Sequence, residues 1–114
     1  MPGGIDQLLV QLRAAPRTLQ FQAVLATIDT AYTFHQRAFA NGPLRNNAGT
    51  NAGSLKIIRL AQLRGLSTGE ALSLYGEHWR ELPAGGTSHA NIRQLLQSGL
   101  NNCRVDGGEC LEPK

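Results

Sequence analysis

A stretch rich in asparagine and glycine, residues 39–56, constrains the fold of this chain more than any other feature. It reads FANGPLRNNAGTNAGSLK and contains four asparagines, three glycines and one proline. These residues favour turns over helices and strands, and so long a connection inside a compact domain is usually functional or disordered. Because glycine allows positive φ and asparagine can bond to neighbouring backbone groups, we expect the stretch to be ordered over a core. It is therefore either a structural cap or part of a binding site.

The composition indicates one globular domain. The chain has 114 residues, of which 41% are hydrophobic and 17% charged, so it can bury one core but not two. No apolar segment is long enough to cross a bilayer, and Asp6 stands where a signal peptide would carry positive charge. We expect a single soluble, cytoplasmic domain over residues 1–114 with no membrane partner. Secretion by a type III system and the oligomeric state stay open.

The net charge of +3 does not by itself indicate nucleic-acid binding. The arginines are scattered along the chain, and aromatic residues make up only 5%, too few for a base-stacking surface. The three histidines and two cysteines match no metal-ligand spacing. We therefore expect no nucleic-acid partner, no metal and no cofactor. Cys103 and Cys110 are interpreted as free thiols, with a disulfide after export as the alternative.

Apolar residues recur at helical spacing in five segments, which predicts a compact, mostly α-helical domain of about five helices. The first begins near Ile5 and ends near Pro16. The residues expected to cap the other four helices are Thr18, Ser54, Ser67 and Ser88. Among them, Ser67 opens the sequence STGE, which has the form of a capping box.

The last two predicted helices have clear apolar faces. The fourth carries Ala71, Leu72, Tyr75 and Trp79 on one continuous face. The fifth directs Ile92, Leu95 and Leu96 inward and ends at Gly99. A minor β-ribbon is a further option, because Asn41-Gly42 is a hairpin signal, although Pro43 weakens it. The ribbon could pair with residues 103–105 of the tail.

Groups suited to an anion occur at the starts of two predicted helices. The end of the loop brings Gly53 and Ser54 to a helix start and Lys56 to its first turn, where free N–H groups, the helix dipole and an ammonium would meet. In SHANIR, residues 88–93, His89 and Arg93 lie four apart on one helical face. The structural alternative is a pair of solvated helix starts whose polar side chains bond locally.

Catalytic motifs are absent from the sequence: there is no HExxH, no convincing pair of carboxylates, and no Walker P-loop spacing around Lys56. Acid–base catalysis would fall to His89 or Lys56. In GEHWRE, residues 76–81, His78 is interpreted as a half-buried neighbour of Trp79. Whether the chain is an enzyme stays open.

Three segments together resemble the HopJ type III effector protein family: YTFHQRAFANGPLRNNAGTNAGSLK, LYGEHWRE and HANIR. The resemblance covers about residues 5 to 105, which leaves residues 106–114 as a tail. It implies a shared fold and polar surface rather than a reaction, since no catalytic activity defines the family. Leu55 stands where the family usually has cysteine, and Leu100 where it usually has tryptophan. The tail is therefore expected to pack differently or to fray.

We predict a binding domain for a small anionic ligand or a partner carboxylate. The predicted ligand-binding residues are Asn41, Asn46, Gly49, Asn51, Gly53, Ser54, Lys56, Arg80, His89, Asn91 and Arg93. Lys56, Arg80 and Arg93 would supply charge. The asparagines would orient the ligand, and the glycines would let the backbone approach it. All of this requires the loop end and the start of the last helix to share one cavity. Two alternatives are a small enzyme with His89 as acid or base, and a type III effector that acts as a protein-interaction module.

Overall fold

α-Helices dominate the computed structural model, which describes residues 4–86 and 88–114. The α-helices are α1 (Gly4–Ala14), α2 (Phe21–Ala31), α3 (Ala52–Leu63), α4 (Thr68–Ser73), α5 (Glu77–Arg80) and α6 (Ala90–Ser98). Two short 3-10 helices cover Pro16–Thr18 and Leu100–Asn102. The described part thus has six α-helices where about five were predicted. None of them is long and apolar enough to span a membrane.

Five three-residue strands join distant parts of the chain: β1 (Tyr32–Phe34), β2 (Phe39–Asn41), β3 (Leu44–Asn46), β4 (Cys103–Val105) and β5 (Leu111–Pro113). The strand β2 lies between β3 and β4 and is antiparallel to both. The turn from β2 to β3 is made at Gly42, which has φ +56°. The predicted ribbon and its pairing with residues 103–105 are therefore confirmed.

The tail packs rather than frays. The strand β5 pairs with β1, and Cys110 and Leu111 are buried in the core. Both cysteines are free thiols, and burial raises the pKa of each to about 11. Burial of the Leu111 side chain removes apolar surface from water, and this holds the tail against the core.

One hydrophobic core holds the helices together. The helix α1 contributes Ile5, Leu8, Leu9 and Leu12, the spacing expected of one helical face. The buried face of α6 consists of Asn91, Ile92 and Leu95. The prediction that Leu96 faces inward is wrong, since 56% of it is exposed. Asn91 and Leu95 lie four residues apart on the same buried face of the helix. Leu96 is the next residue and lies beside that face.

Three of the four predicted helix caps are wrong, and Ser67 is confirmed. The Ser67 side chain accepts the N–H of Glu70, and the Glu70 side chain accepts the N–H of Ser67, which completes a capping box. The actual N-cap residues of α2, α3 and α6 are Gln20, Asn51 and His89. None of these three side chains bonds to its own helix. Backbone conformation and tertiary contacts, rather than a serine or threonine hydroxyl, therefore set these starts.

The predicted fourth helix is broken in two at Gly76. This residue has φ +62°, and a Cβ there would lie 2.7 Å from the backbone N of Phe21 and 2.9 Å from the carbonyl O of Leu19. Glycine therefore allows α5 to start against the beginning of α2. The break changes the direction of the chain between Tyr75, which is buried, and His78, which contacts Phe21.

Candidate functional site

A cavity of about 400 Å³ lies between the starts of α3 and α6. The loop contributes Asn51, Gly53 and Ser54, and α6 contributes its first three residues together with the preceding His89. Further lining comes from β3, from the first residue of α2, from Tyr75 between α4 and α5, and from His78 in α5. We call it the amide–histidine cavity. The end of the loop and the start of the last helix thus share one cavity, as the sequence reasoning required.

Both helix starts at the cavity have a left-handed N-cap residue. Asn51 has φ 53° and His89 has φ 52°, and they are the two non-glycine residues with positive φ in the described part. Such a conformation is unfavourable for most side chains and persists only where the surroundings impose it. Because neither side chain caps its helix, the first N–H groups of α3 and α6 are left for another acceptor. Two positive dipole ends therefore meet at this cavity.

Buried asparagines tie the loop to α6. Asn46 and Asn91 exchange amide hydrogen bonds: Asn91 Nδ2 donates to Asn46 Oδ1 at 2.9 Å, and Asn46 Nδ2 donates to Asn91 Oδ1 at 3.2 Å. Asn51 Nδ2 donates to Asn46 Oδ1 at 2.7 Å. Asn41 lies behind the cavity, fully buried, and its Nδ2 donates to the Asn91 carbonyl O at 2.9 Å. These amides mainly hold the two helix starts in position.

A pair of histidines forms another part of the lining. The ring centroids of His78 and His89 lie 5.0 Å apart with 32° between the ring planes. His78 also contacts Phe21 edge-on, with centroids 4.7 Å apart. His78 is thus a cavity residue, which its interpretation as a neighbour of Trp79 missed. A pattern of neighbouring residues could not predict this contact, because His78 lies in α5 and His89 directly precedes α6.

Tyr75 is a lining residue whose buried hydroxyl has no hydrogen-bond partner among the described residues. Only 2% of the residue is exposed, and its ring stacks on Phe21 with centroids 6.2 Å apart. Ser54 lies beside the hydroxyl, but no described group meets hydrogen-bond geometry with it. Burial raises the pKa of Tyr75 far above its usual value, so the hydroxyl stays a protonated donor. A buried donor without an acceptor costs about 1–3 kcal/mol.

The charge of the lining is one-sided. Its ionisable residues are Arg45, Tyr75, His78 and His89, and no carboxylate is among the described lining residues. The Arg45 side chain is 63% exposed, and its Nη2 lies 2.9 Å from Asp106 Oδ2. The sequence reasoning missed Arg45 because it lies in β3, several residues before the first helix start in the sequence. Nothing in this lining would repel an anion.

Lys56 lies outside the cavity. Its Nζ is 2.8 Å from Asp29 Oδ1 and 4.8 Å from the centre of the Phe34 ring. The pairing residue belongs to α2, so Lys56 joins α3 to α2 instead of meeting His89. The expected convergence of Lys56 with the helix starts is therefore not seen.

The two predicted arginines also lie elsewhere and bond to backbone carbonyls. Arg80 Nη1 donates to the Leu19 O at 2.6 Å, and Arg93 Nε donates to the Ser88 O at 2.6 Å. Neither arginine lines the cavity. Gly49 is likewise outside the lining, in an exposed turn. The cavity therefore contains six of the predicted residues, namely Asn46, Asn51, Gly53, Ser54, His89 and Asn91.

No group of three or more histidine, cysteine, aspartate or glutamate side chains able to hold a metal occurs in residues 4–86 and 88–114. The histidine pair has no carboxylate or thiol beside it in the described lining. The groups that line the cavity are thus suited to hydrogen bonding and to holding negative charge.

Comparison with known proteins identifies a similar fold and a protein family. The crystal structure of a protein of unknown function, VPA0580, matches this chain with a TM-score of 0.91 and 29% sequence identity, over 96% of this chain and 93% of that chain. Among curated proteins, none matches. The model of one protein family, described as HopJ type III effector protein, matches residues 5–109. This chain therefore belongs to the HopJ type III effector protein family.

Proposed function

We propose that this chain is a binding domain whose amide–histidine cavity holds the anionic group of a small molecule. The observation that carries the proposal is the meeting of two helix starts in one cavity, which is also lined by Tyr75, whose buried hydroxyl has no hydrogen-bond partner among the described residues. Each of these groups is suited to a negatively charged oxygen. Together they favour a phosphate or carboxylate over a cation.

The proposal assigns charge to different residues from those that the sequence suggested. Arg45, His78 and His89 take the place of Lys56, Arg80 and Arg93, because only the former line the cavity. In this proposal Asn41 does not contact the ligand. Its Nδ2 donates to the carbonyl O of Asn91 and so helps to position that residue. Type III secretion stays a prediction, made from the family resemblance.

The enzyme alternative keeps one supporting observation, the contact between His78 and His89. A general acid and a general base in one cavity would need two such groups. Lys56 lies outside the cavity, so electrostatic stabilisation would come from the helix starts instead. Turnover of a bound compound, lost in His89→Asn, would favour this alternative.

The test is an NMR titration of the backbone amides with inorganic phosphate, phenyl phosphate and benzoate. We expect saturable shifts at Gly53, Ser54 and Asn91 for at least one of the three. Tyr75→Phe removes only the hydroxyl and should weaken that binding about tenfold, equivalent to about 1.4 kcal/mol. The free energy of unfolding without ligand should not fall, because the lost hydroxyl has no described partner.

Lys56→Ala is the matched control, since it removes a predicted cation that lies outside the cavity. We expect it to leave the affinity unchanged. Absence of saturable shifts for all three compounds would overturn the proposal. Equal affinity in Tyr75→Phe and the unmodified chain would show that ligands bind elsewhere.

A further inference from the structure

We infer that the amide–histidine cavity receives the C-terminal end of an extended peptide, which pairs with the free edge of β3 while its terminal carboxylate meets the helix starts. This rests on the proposed function and names the chemical class of the anionic ligand. Three features of the molecule support it. They are the position of β3 beside the cavity, the direction of its unpaired backbone groups, and the apolar wall next to the helix starts.

The strand β3 forms one edge of its sheet. It pairs with β2 on one side, and within the described part of the chain no strand pairs with its other side. Leu44, Arg45 and Asn46 all line the cavity, although side chains of neighbouring strand residues point to opposite faces of a sheet. Three consecutive residues can line one cavity when it runs alongside the strand. The unpaired edge of β3 therefore borders the cavity.

The register of the hairpin determines which backbone groups of β3 face outward. A two-residue turn joins β2 to β3, and Asn41 lies opposite Leu44 on either side of it. The next pair is Ala40 and Arg45. In such a hairpin the residues beside the turn exchange hydrogen bonds, and the next pair does not. The N–H and C=O of Arg45 therefore point away from β2, where another extended chain could bond to both.

The helix starts at the same cavity suit the terminal carboxylate of such a chain. Neither Asn51 nor His89 caps its own helix with its side chain, so the first N–H groups of α3 and α6 lack that acceptor. The carboxylate of Glu77, beside His78, accepts the N–H of Phe21 at 2.7 Å and is not part of the lining. Capture of a terminal carboxylate by backbone N–H groups is a recurring mode of peptide recognition.

An apolar wall beside the helix starts suits the last side chain of the peptide. Phe21, Leu44 and Ile92 contribute to this wall. The volume of about 400 Å³ lies within the range of small-molecule sites and exceeds what a carboxylate alone needs. An apolar side chain in the remaining space would remove its surface from water. The peptide should therefore end in an apolar residue.

The length of β3 limits the pairing. The strand has three residues, and in this register Arg45 is the one that offers both backbone groups. The side chain of Arg45 is paired with Asp106 at 2.9 Å, so its charge is not assigned to the ligand. Short edge strands with a charged side chain resist pairing with other sheets. The edge therefore gives a peptide one pair of hydrogen bonds, and the rest of the affinity comes from the carboxylate and the last side chain.

The test is an NMR titration with four acetylated tetrapeptides that end in valine, leucine, isoleucine or phenylalanine and have a free carboxyl terminus. Each is compared with its C-terminal amide and with the acetylated last amino acid alone, which keeps the carboxylate and side chain but has no strand to pair. We expect at least one peptide to bind about tenfold more tightly than both comparison compounds. The amide proton of Arg45 should shift downfield and exchange more slowly in the complex.

Two substitutions at one position separate the backbone from the side chain. Arg45→Pro removes the N–H that would pair with the peptide, and proline is tolerated on an edge strand where that N–H faces outward. It should abolish the advantage of the peptide over the acetylated amino acid. Arg45→Ala is the matched control, because it removes the charge and keeps the N–H. We expect it to retain that advantage.

Each contrary result is distinguishable. An acetylated amino acid that binds as tightly as the peptide, or an undiminished advantage in Arg45→Pro, overturns pairing with β3 and leaves the proposed function standing. Equal binding of the amide overturns the role of the carboxylate. If Arg45→Pro does not fold, an unchanged Arg45 amide proton in the peptide complex overturns the pairing instead. Saturable binding of phosphate, phenyl phosphate or benzoate without binding of any peptide overturns this inference alone, and no binding of any probe overturns the proposed function as well.

Discussion

The side chain of Asn91 bonds to two other buried asparagines, Asn46 and Asn41, and its carbonyl oxygen bonds to Asn41 as well. Its amide exchanges hydrogen bonds with Asn46, and its carbonyl O accepts from Asn41. All three residues are at most 5% exposed. Such a network stabilises a fold only while every member has a partner. Asn46 also accepts from Asn51, and Asn91 lies two residues after His89, so the network joins the two helix starts that border the cavity.

Asn91→Ala should lower the free energy of unfolding by about 2–4 kcal/mol, because it removes the acceptor of the buried Asn46 Nδ2 and takes one hydrogen bond each from Asn46 Oδ1 and Asn41 Nδ2. Urea denaturation monitored by circular dichroism measures the change. Asn47→Ala is the matched control, since Asn47 is exposed in the same loop. A loss no larger than that of the control would show that the amides contribute little to stability.

The break between α4 and α5 determines which side chains reach the cavity. A continuous helix from Thr68 would have carried Tyr75 and Trp79 on one face, as the apolar pattern suggested. Gly76 instead turns the chain against the start of α2. As a result Tyr75 lies under Phe21 and His78 lies beside it.

Gly76→Ala should be strongly destabilising, by at least about 2 kcal/mol more than Gly65→Ala. Both glycines have positive φ, +62° and +66°, so an alanine is strained at either position. Only at Gly76 would the new Cβ meet backbone atoms, whereas nothing lies within 4 Å at Gly65. Thermal and urea denaturation of the two variants would compare them. Equal losses would mean that the start of α2 can shift to make room.

The connection from β4 to β5 is held to α3 by an ion pair. Arg59 Nε and Nη2 donate to the two carboxylate oxygens of Glu109 at 2.8 and 2.7 Å. These hydrogen bonds lower the pKa of Glu109 to about 2. The pKa in the folded chain is thus below the value of about 4.3 in an unfolded chain. The pair therefore stabilises the fold above about pH 4.3, and that contribution is lost as the pH falls toward 2.

Glu109→Gln should lower the free energy of unfolding at pH 7 and have progressively less effect between about pH 4.3 and pH 2. Urea denaturation across this range, against the unmodified chain, measures the difference. Glu81→Gln is the control, as Glu81 is exposed at the end of α5. A difference that is constant with pH would contradict the role assigned to the ion pair.

Local signals in the sequence were sufficient for much of the fold. The apolar spacing in α1 and the Ser-x-x-Glu pattern at Ser67 depend only on neighbouring residues, and both predictions are confirmed. The hairpin at Gly42 and the pairing with residues 103–105 are confirmed as well. The loop that suggested a site does reach the start of the last helix.

The remaining features depend on contacts between distant segments. Asn51 and His89 are N-caps in left-handed conformations, so a search for serine or threonine caps placed those starts wrongly. Lys56 is directed to Asp29 by the packing of α3 on α2. The meeting of His78 with His89 follows from the turn at Gly76 and from the position of α6. No periodicity encodes such relationships.

The return of the tail to the first half of the chain has a consequence during synthesis. Cys103 contacts Asn41 at a sequence separation of 62 residues, and His35 contacts Glu112 at a separation of 77. A chain emerging from the ribosome therefore holds β2 with one unpaired edge, and Asn41 without its support from β4, until β4 has been translated. Contacts so distant in sequence form slowly. During that interval the exposed edge is open to strands of other nascent chains.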